Sequence, residues 1–426
     1  MQPSWKTEII AGITTFFTMA YIVVVNPSIL SSPGTGMSFS GTLTATVLIA
    51  SSMSILMGLY AKLPFAVAPG MGINAFFAFS LILGRQIAWQ IALGLVFWAG
   101  VLFLLISVTP LRERVALSIP RNLRAAAAGG IGIFLVFIGL RNAGLVVGDR
   151  ATLVKLGPIG TEAVLSIVGL VAMVALLRRK NAFAFLAGMA LVTVLAAFFG
   201  KVAAPAQIVA WPDFSSVFLK LDIWGALQLS LLPAILAVCF TDLFDSLSTF
   251  VGVSTATGLV NARGEPHRLR EGLVVDAVAT LGAGLAGTSS GTAYIESAAG
   301  IEVGGRTGRT AIVTGLCFLP CFFLSPVAAM VPAYATAPVL ILVGLMMFRS
   351  LKELQVEKLE DLVPAALTVL LIPFTFSITQ GILWGLVLHS ALYVLAGRRR
   401  EISPFLAVLS LVCLILLILE NAAIPV

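Results

Sequence analysis

Charge is scarce in this sequence. Of its 426 residues only 11% are Asp, Glu, Lys or Arg, against 59% hydrophobic. A soluble chain of this length needs far more polar surface to cover its core, so a soluble globular protein is excluded. Histidine is limited to His267 and His389. The four cysteines, Cys239, Cys317, Cys321 and Cys413, all fall inside apolar stretches. They form neither a secreted disulfide framework nor a metal-ligand array. No long polar region is present either: the longest polar connections, about 141–160 and 253–269, are too short to fold alone. The net charge of +7 suggests nucleic acid at first sight, but the basic residues are scattered between apolar runs and form no single face. Nucleic acid is not an expected partner; the lipid bilayer is.

What the chain has in abundance is apolar runs long enough to span a bilayer. Bounded by turn residues and charges, they fall at 8–30, 41–61, 66–83, 87–109, 122–140, 161–177, 182–200, 225–252, 270–286, 292–303, 309–331, 334–349, 361–377 and 380–396. We number these segments 1 to 14. Segment 1 carries Asn26-Pro27 near its end and lacks a small-residue cleavage site, which argues against a signal peptide. The loops test the division independently. With the N-terminus in the cytoplasm, alternation places 20 of the 26 Lys and Arg residues inside and 6 outside, the bias of a multi-pass inner-membrane (plasma-membrane) protein. Two points stay open. Residues 361–396 form either two crossings or a re-entrant hairpin around Pro373, and 403–420 is either a fifteenth span or an interfacial helix.

Fourteen segments divide into seven and seven. Because seven is odd, the halves start on opposite sides of the membrane, as an inverted repeat requires. Ile138-Gly139-Leu140-Arg141 in segment 5 echoes Val343-Gly344-Leu345 in segment 12. Segments 3 and 10 are short, and each opens on a helix breaker: Pro69-Gly70-Met71-Gly72-Ile73-Asn74 in one, Gly287-Thr288-Ser289-Ser290-Gly291-Thr292 in the other. Interrupted spans in corresponding positions of two repeats point to a transporter's binding site. Close helix packing through small residues is the plainer reading of either segment alone.

Ionisable residues inside spans are costly and usually functional. Here they are Asp242 and Asp245 in segment 8, Asp276 in segment 9, Glu296 in segment 10 and His389 in segment 14. No Lys or Arg lies near a span centre, although Arg306 or Arg309 is within reach of Glu302 at a helix end. Asp242 and Asp245 are three residues apart, hence on one helix face about 4.5 Å apart along the axis. Both are candidates for proton coupling. Asp276 suits a structural hydrogen bond equally well, and His389 reads better as a packed polar residue than as a relay. Phe76, Phe77 and Phe79 follow Asn74, Phe240 and Phe244 flank Asp242, and Tyr294 precedes Glu296. Carboxylates without partners, an amide and aromatic faces suit a flat, neutral, N–H-rich ligand; an anion would demand Arg or Lys.

The run from Glu8-Ile-Ile-Ala-Gly-Ile-Thr-Thr-Phe-Phe-Thr-Met-Ala-Tyr-Ile to Asn26-Pro27 resembles the first span of the nucleobase–cation symporter-2 superfamily, and in particular its hypoxanthine, adenine and guanine permeases. So do Ala68-Pro69-Gly70-Met71-Gly72-Ile73-Asn74-Ala75-Phe76-Phe77, Thr241-Asp242-Leu243-Phe244-Asp245, Gly287-Thr288-Ser289-Ser290, Tyr294-Ile295-Glu296-Ser297-Ala298-Ala299-Gly300 and Gly304-Gly305-Arg306-Thr307-Gly308. The resemblance runs in order from about residue 4 to 396. It departs at Ser246-Leu247-Ser248 and at Gly291 and Ala293, where the branch commonly has other or larger residues.

The resemblance implies an all-α polytopic fold of fourteen transmembrane segments in two inverted repeats, with broken half-helices 3 and 10. It also implies a core domain of residues 1–110 and 225–332, a gate domain of 111–224 and 333–400, and an extra apolar segment at 401–426. The expected function is proton symport of purine bases with alternating access, not enzymatic catalysis. Asn74, Asp242 and Glu296 would bind the base, supported by Gly72, Phe76 and Tyr294, and Asp245 with Asp242 would couple the proton. No cofactor or metal is expected, and a homodimer is left open. Rival expectations are an anion carrier or channel on the same fold and, less favoured, an intramembrane enzyme using Asp242 and Asp276.

Overall fold

The computed structural model describes residues 4–109, 120–260 and 266–422. Each of the fourteen stretches carries a helix, whole or broken. Segments 1 to 7 are Trp5–Leu30, Phe39–Ala61, Met71–Gly84, Trp89–Val108, Arg121–Asn142, Thr161–Arg178 and Ala184–Phe198. Segments 8 and 9 are Leu229–Thr257 and Leu269–Ala286. Segments 10 to 14 are Ser297–Glu302, Gly308–Phe323, Ala333–Phe348, Leu359–Thr375 and Ile378–Leu395. Among the described residues, 8 helices are long and apolar enough to cross a membrane.

Local chemistry fixes where the helices start and stop. Ser4, Ser38, Thr307 and Ser377 each accept a backbone N–H of the first turn through the side-chain oxygen. Segment 8 carries Pro233 in its first turn and ends at Gly258, whose φ of 72° closes the helix in the left-handed region. It runs one turn further than the sequence reading placed it. Segments 13 and 14 are two packed helices joined at Phe376, and a helix at Pro404–Ala422 lies against segments 14 and 8. There Ser410 Oγ is 2.7 Å from Ser390 Oγ and donates to Leu386 O at 3.1 Å.

The inverted repeat is visible in the packing. Segment 4 packs on 9 as 11 packs on 2, 1 on 11 as 8 on 4, 13 on 5 as 6 on 12, and 13 on 14 as 6 on 7. Exchanging each member of a pair for the segment seven positions away in the other half yields its counterpart. Segments 2 and 9, and 5 and 12, pack on their own symmetry mates. At the last crossing a Cβ on Gly132 would meet Gly344 O at 2.5 Å, and a Cβ on Gly344 would meet Gly132 O at 2.5 Å. Pro120 and Pro332 stand at the N-caps of these two helices. Gly132, not Gly139, is therefore the counterpart of Gly344, and the echo at 138–141 is out of register with the repeat. Segments 1–4 and 8–11 pack chiefly on one another, as do 5–7 and 12–14.

The β-structure was not expected. Val67–Pro69 (β1) pairs antiparallel with Gly291–Ala293 (β4) inside the bundle. Val146–Asp149 (β2) and Leu153–Leu156 (β3) form a hairpin between segments 5 and 6. In that hairpin Asp149 meets Lys155 at 2.8 Å. The lysine, with the backbone N–H groups of Ala151 and Thr152, draws the carboxyl down to about 2. Between segments 7 and 8 the chain crosses the bundle end without helix or strand until Gly225. Asp213 ties it down. Burial works against its ionisation, but Ser216, Ser40 and Ser215 donate to it and hold its carboxyl below the usual range.

Candidate substrate cavity at the strand crossing

The two helix breakers meet at the centre of the bundle, and they do so as strands. Backbone groups cut loose from a helix at membrane depth must find partners inside the protein. Here each breaker supplies them to the other: Val67 pairs with Ala293, Ala68 with Thr292, and Pro69 with Gly291. Pro69 has no N–H and sits at the end of its strand. Side chains complete the pairing. Ser54 Oγ donates to Val67 O and accepts Val67 N at 3.1 and 2.9 Å, Ser297 Oγ accepts Ala66 N at 3.0 Å, and Tyr294 Oη donates to Pro69 O at 2.5 Å. Beyond β1 the third segment begins as one α-turn, Met71–Ala75, and widens into a π-helix over Phe76–Gly84. Such widened turns recur at functional sites.

A cavity of about 880 Å³ opens beside the crossing. Its lining includes the buried or half-buried Tyr21, Gly72, Phe244, Asp245, Tyr294, Glu296 and Arg124, and the exposed Lys180, Glu302, Arg349 and Glu353 mark its mouth. At the mouth Lys180 pairs with the exposed Glu302 at 3.6 Å. Arg306 turns instead to Thr257 O at 2.6 Å and Arg309 stacks over Trp5, so neither arginine is the partner of Glu302. Gly72 faces the other helix set closely: a Cβ there would stand 2.7 Å from Ile131 Cγ2.

The sequence-derived site residues divide into two groups. Gly72, Asp245, Tyr294 and Glu296 line the cavity. Asn74, Asp242 and Phe76 are buried and do not line it. Asp242 turns from the cavity toward segment 9, where the Thr280 hydroxyl donates to its Oδ2, and its Oδ1 has no hydrogen-bond partner. Thr280 Oγ also lies 3.0 Å from Gly291 O, which ties Asp242 to β4. Asp276 accepts the Ala293 N–H at 3.0 Å, also behind the strands. Asn74 Oδ1 accepts the Ser289 hydroxyl, leaving its Nδ2 unpartnered. Asp242 and Asp245, on one helix, therefore face different environments. Among the described residues no ion pair involves Asp242, Asp245, Asp276 or Glu296. His389 packs on Tyr393, ring centroids 4.0 Å apart, and does not line the cavity.

Tyr21 was missed. Its hydroxyl donates to Glu296 Oε1 at 2.7 Å, and its ring lies 4.8 Å from that of Phe185 in segment 7. The signal was a single phenol in an otherwise apolar run, at the Ala20–Tyr21 break between two stretches of segment 1.

An apolar helical bundle with two crossed, broken segments and a carboxylate-bearing cavity beside them is the architecture of a multi-pass membrane transporter. Comparison with known proteins places it more narrowly. The model of the permease family matches residues 6–384, and the chain belongs to that family, a nucleobase–cation symporter-2 family; it is a permease and not an enzyme. It is similar to the adenine permease AdeP of Escherichia coli (strain K12), 40% identical over 418 residues that cover 98% of this chain and 94% of the relative. The guanine/hypoxanthine permease PbuO of Bacillus subtilis (strain 168) is 38% identical, with 96% of each chain covered. Among solved structures, the transmembrane domain of the cyanobacterial bicarbonate transporter BicA shares the fold, with a TM-score of 0.64 at 18% identity over 89% of this chain and 96% of that one. The murine anion transporter Slc26a9, in its inward-facing state, follows at 0.60 and 10%, covering 93% and 69%.

Proposed function

We propose that this permease imports purine bases (hypoxanthine, guanine and adenine) across the inner (plasma) membrane by proton symport with alternating access. The observation that carries the reading is Glu296: a carboxylate fixed by Tyr21, without a cation, facing a cavity also walled by Tyr294 and Phe244. Purine edges offer N–H donors, a carboxylate accepts them, and aromatic faces stack on a planar ring. Each charge-assisted bond contributes roughly 1.5–3 kcal/mol, so two or three give micromolar affinity after the costs of binding. The names of the similar permeases support the same substrate class.

In this reading Glu296 contacts the base with Tyr294 and Gly72 around it, while Asn74, Asp242 and Phe76 hold the crossing from behind. Asp245 and Asp242 carry the coupling proton, since neither has a basic partner. Residues 1–110 and 225–332 move as the core against a gate of 111–224 and 333–400, a division supported by which helices pack together. With the N-terminus cytoplasmic, the mouth at Lys180 and Arg349 faces inward. Cysteines introduced at Arg179 and Lys155 test this: an impermeant thiol reagent added outside intact cells labels the second and spares the first.

A second reading has one observation in its favour. Arg124, Lys180 and Arg349 stand in the cavity wall, as an anion carrier would need. Lys180 and Arg349 are exposed at the mouth and Arg124 is half-buried, whereas the less exposed wall also carries Asp245 and Glu296, which repel an anion. The deciding experiment is uptake of labelled hypoxanthine, with adenine, guanine, xanthine and uracil as competitors, and of labelled bicarbonate, with a proton gradient and a sodium gradient each imposed alone. Purine-specific uptake lost with the proton gradient supports the proposal. Bicarbonate uptake without purine uptake, or purine uptake driven by sodium alone, overturns it.

A further inference from the structure

Tyr21 meets Glu296 in a way that constrains what the carboxylate can do, and segment 1 fixes that meeting. At Ala20 and Tyr21 the helix is interrupted, with Tyr21 O accepting the N–H groups of both Val24 and Val25 at 3.0 and 2.9 Å. Segment 1 is also clamped to segment 10: a Cβ on Gly300 would lie 2.1 Å from Thr15 Oγ1 and 2.5 Å from Ala11 O. The phenol therefore reaches Glu296 from a helix packed closely on segment 10. Its ring is 1% exposed and packs on Phe185 of the opposing helix set.

A phenol has one proton to give and lone pairs left to accept with. Donating to Glu296 Oε1, Tyr21 engages one carboxylate oxygen, is the one side-chain donor to that carboxylate among the described residues, and keeps its own oxygen available as an acceptor. We propose that Tyr21 is a positioning and specificity-determining residue of the substrate site, which sets Glu296 to present a single free oxygen beside the phenol oxygen. The pair then reads a ligand edge carrying two adjacent N–H donors, one for each oxygen. Without Tyr21, Glu296 is free to rotate and to offer both oxygens. The inference rests on the purine reading and deepens it.

The test is uptake of labelled base by Tyr21→Phe, Glu296→Gln and the double variant, with membrane levels and thermal unfolding measured for each. Phenylalanine keeps the ring on Phe185, so the single variant reaches the membrane. Its KM rises about tenfold, as for one lost bond to a charged group, while the maximal rate stays within about twofold. Residues acting through one bond are not additive, so Tyr21→Phe placed in Glu296→Gln adds less than about threefold. Should Tyr21→Phe fold poorly, 3-fluorotyrosine at position 21 keeps the shape and changes the donor strength, and KM shifts with it. An unchanged KM in the correctly folded Tyr21→Phe or the fluorinated protein, or fully multiplicative effects in the double variant, overturns the assignment of Tyr21. Absence of purine uptake by the wild-type protein overturns the purine reading instead.

Discussion

The front and the back of the strand crossing hold similar residues in unlike settings. In front, Tyr21, Asp245, Tyr294 and Glu296 border an open cavity. Behind, Asn74, Asp242 and Asp276 are 0% exposed and spend their hydrogen bonds on Ser289, Thr280 and the Ala293 N–H. Asp242 and Asp245 show the contrast on one helix: three residues along, one acid faces cavity and the other faces protein. The difference teaches that a carboxylate in a membrane segment has two separable uses. One is to line a cavity open to a ligand; the other is to hold irregular backbone inside the protein.

Substitutions can break that contrast. Among the residues behind the crossing, the largest effect on uptake rate is expected at Asp242. Asparagine imitates the protonated acid and still accepts from Thr280, so the crossing stays intact while the site can no longer change charge. Uptake rate in Asp242→Asn falls more than about tenfold, while the affinity for base stays within about threefold, less than one neutral hydrogen bond. A raised Kd with an unchanged maximal rate would put Asp242 in front. Asp276→Asn comes next: its side-chain oxygen can still accept the Ala293 N–H, so the initial uptake rate drops only about threefold, the scale of a weakened hydrogen bond. A complete loss with normal membrane levels would give Asp276 a share in coupling.

The smallest effect lies away from the crossing, in the β2–β3 hairpin. Lys155 holds the Asp149 carboxyl at about 2 against an ordinary 3.8, so the pair supports the hairpin above the ordinary value and is lost as pH falls from there toward about 2. Hydrogen exchange at the hairpin amides of Asp149→Asn at neutral pH therefore matches the acid-treated wild type, and uptake is unaffected. Lost uptake in this variant would bring the hairpin into the transport cycle.

The front was more legible in the sequence than the back. Helix breakers at Pro69-Gly70 and Gly287, with Glu296 just beyond, stand out because apolar spans tolerate such residues only where something compensates for them. The helices themselves followed from hydropathy and loop charge. The strands did not, since three residues such as Gly291-Thr292-Ala293 carry no alternation to read, and their pairing joins chain positions more than two hundred residues apart. Which way Asp242 points was equally hidden. Three-residue spacing puts it on the same broad face as Asp245, and only the neighbouring Thr280, on another helix, decides that it turns away. Tyr21 escaped for the same reason: its partner lies in segment 10. The true register of the repeat was hidden as well, because Gly132 and Gly344 are matched by a backbone crossing and not by similar neighbours.

The central claim is that Glu296 meets the substrate and Asp242 does not. Equilibrium binding of labelled hypoxanthine, guanine or adenine to purified wild-type, Glu296→Gln and Asp242→Asn proteins tests it without dependence on turnover. Glutamine turns a donor toward the ligand's own donors, at about 1.5–3 kcal/mol, so Kd for Glu296→Gln rises roughly ten- to a hundredfold. Asp242→Asn stays within about threefold of wild type on the same scale. Unchanged affinity in a correctly folded Glu296→Gln protein, with the loss appearing in Asp242→Asn instead, would contradict the account.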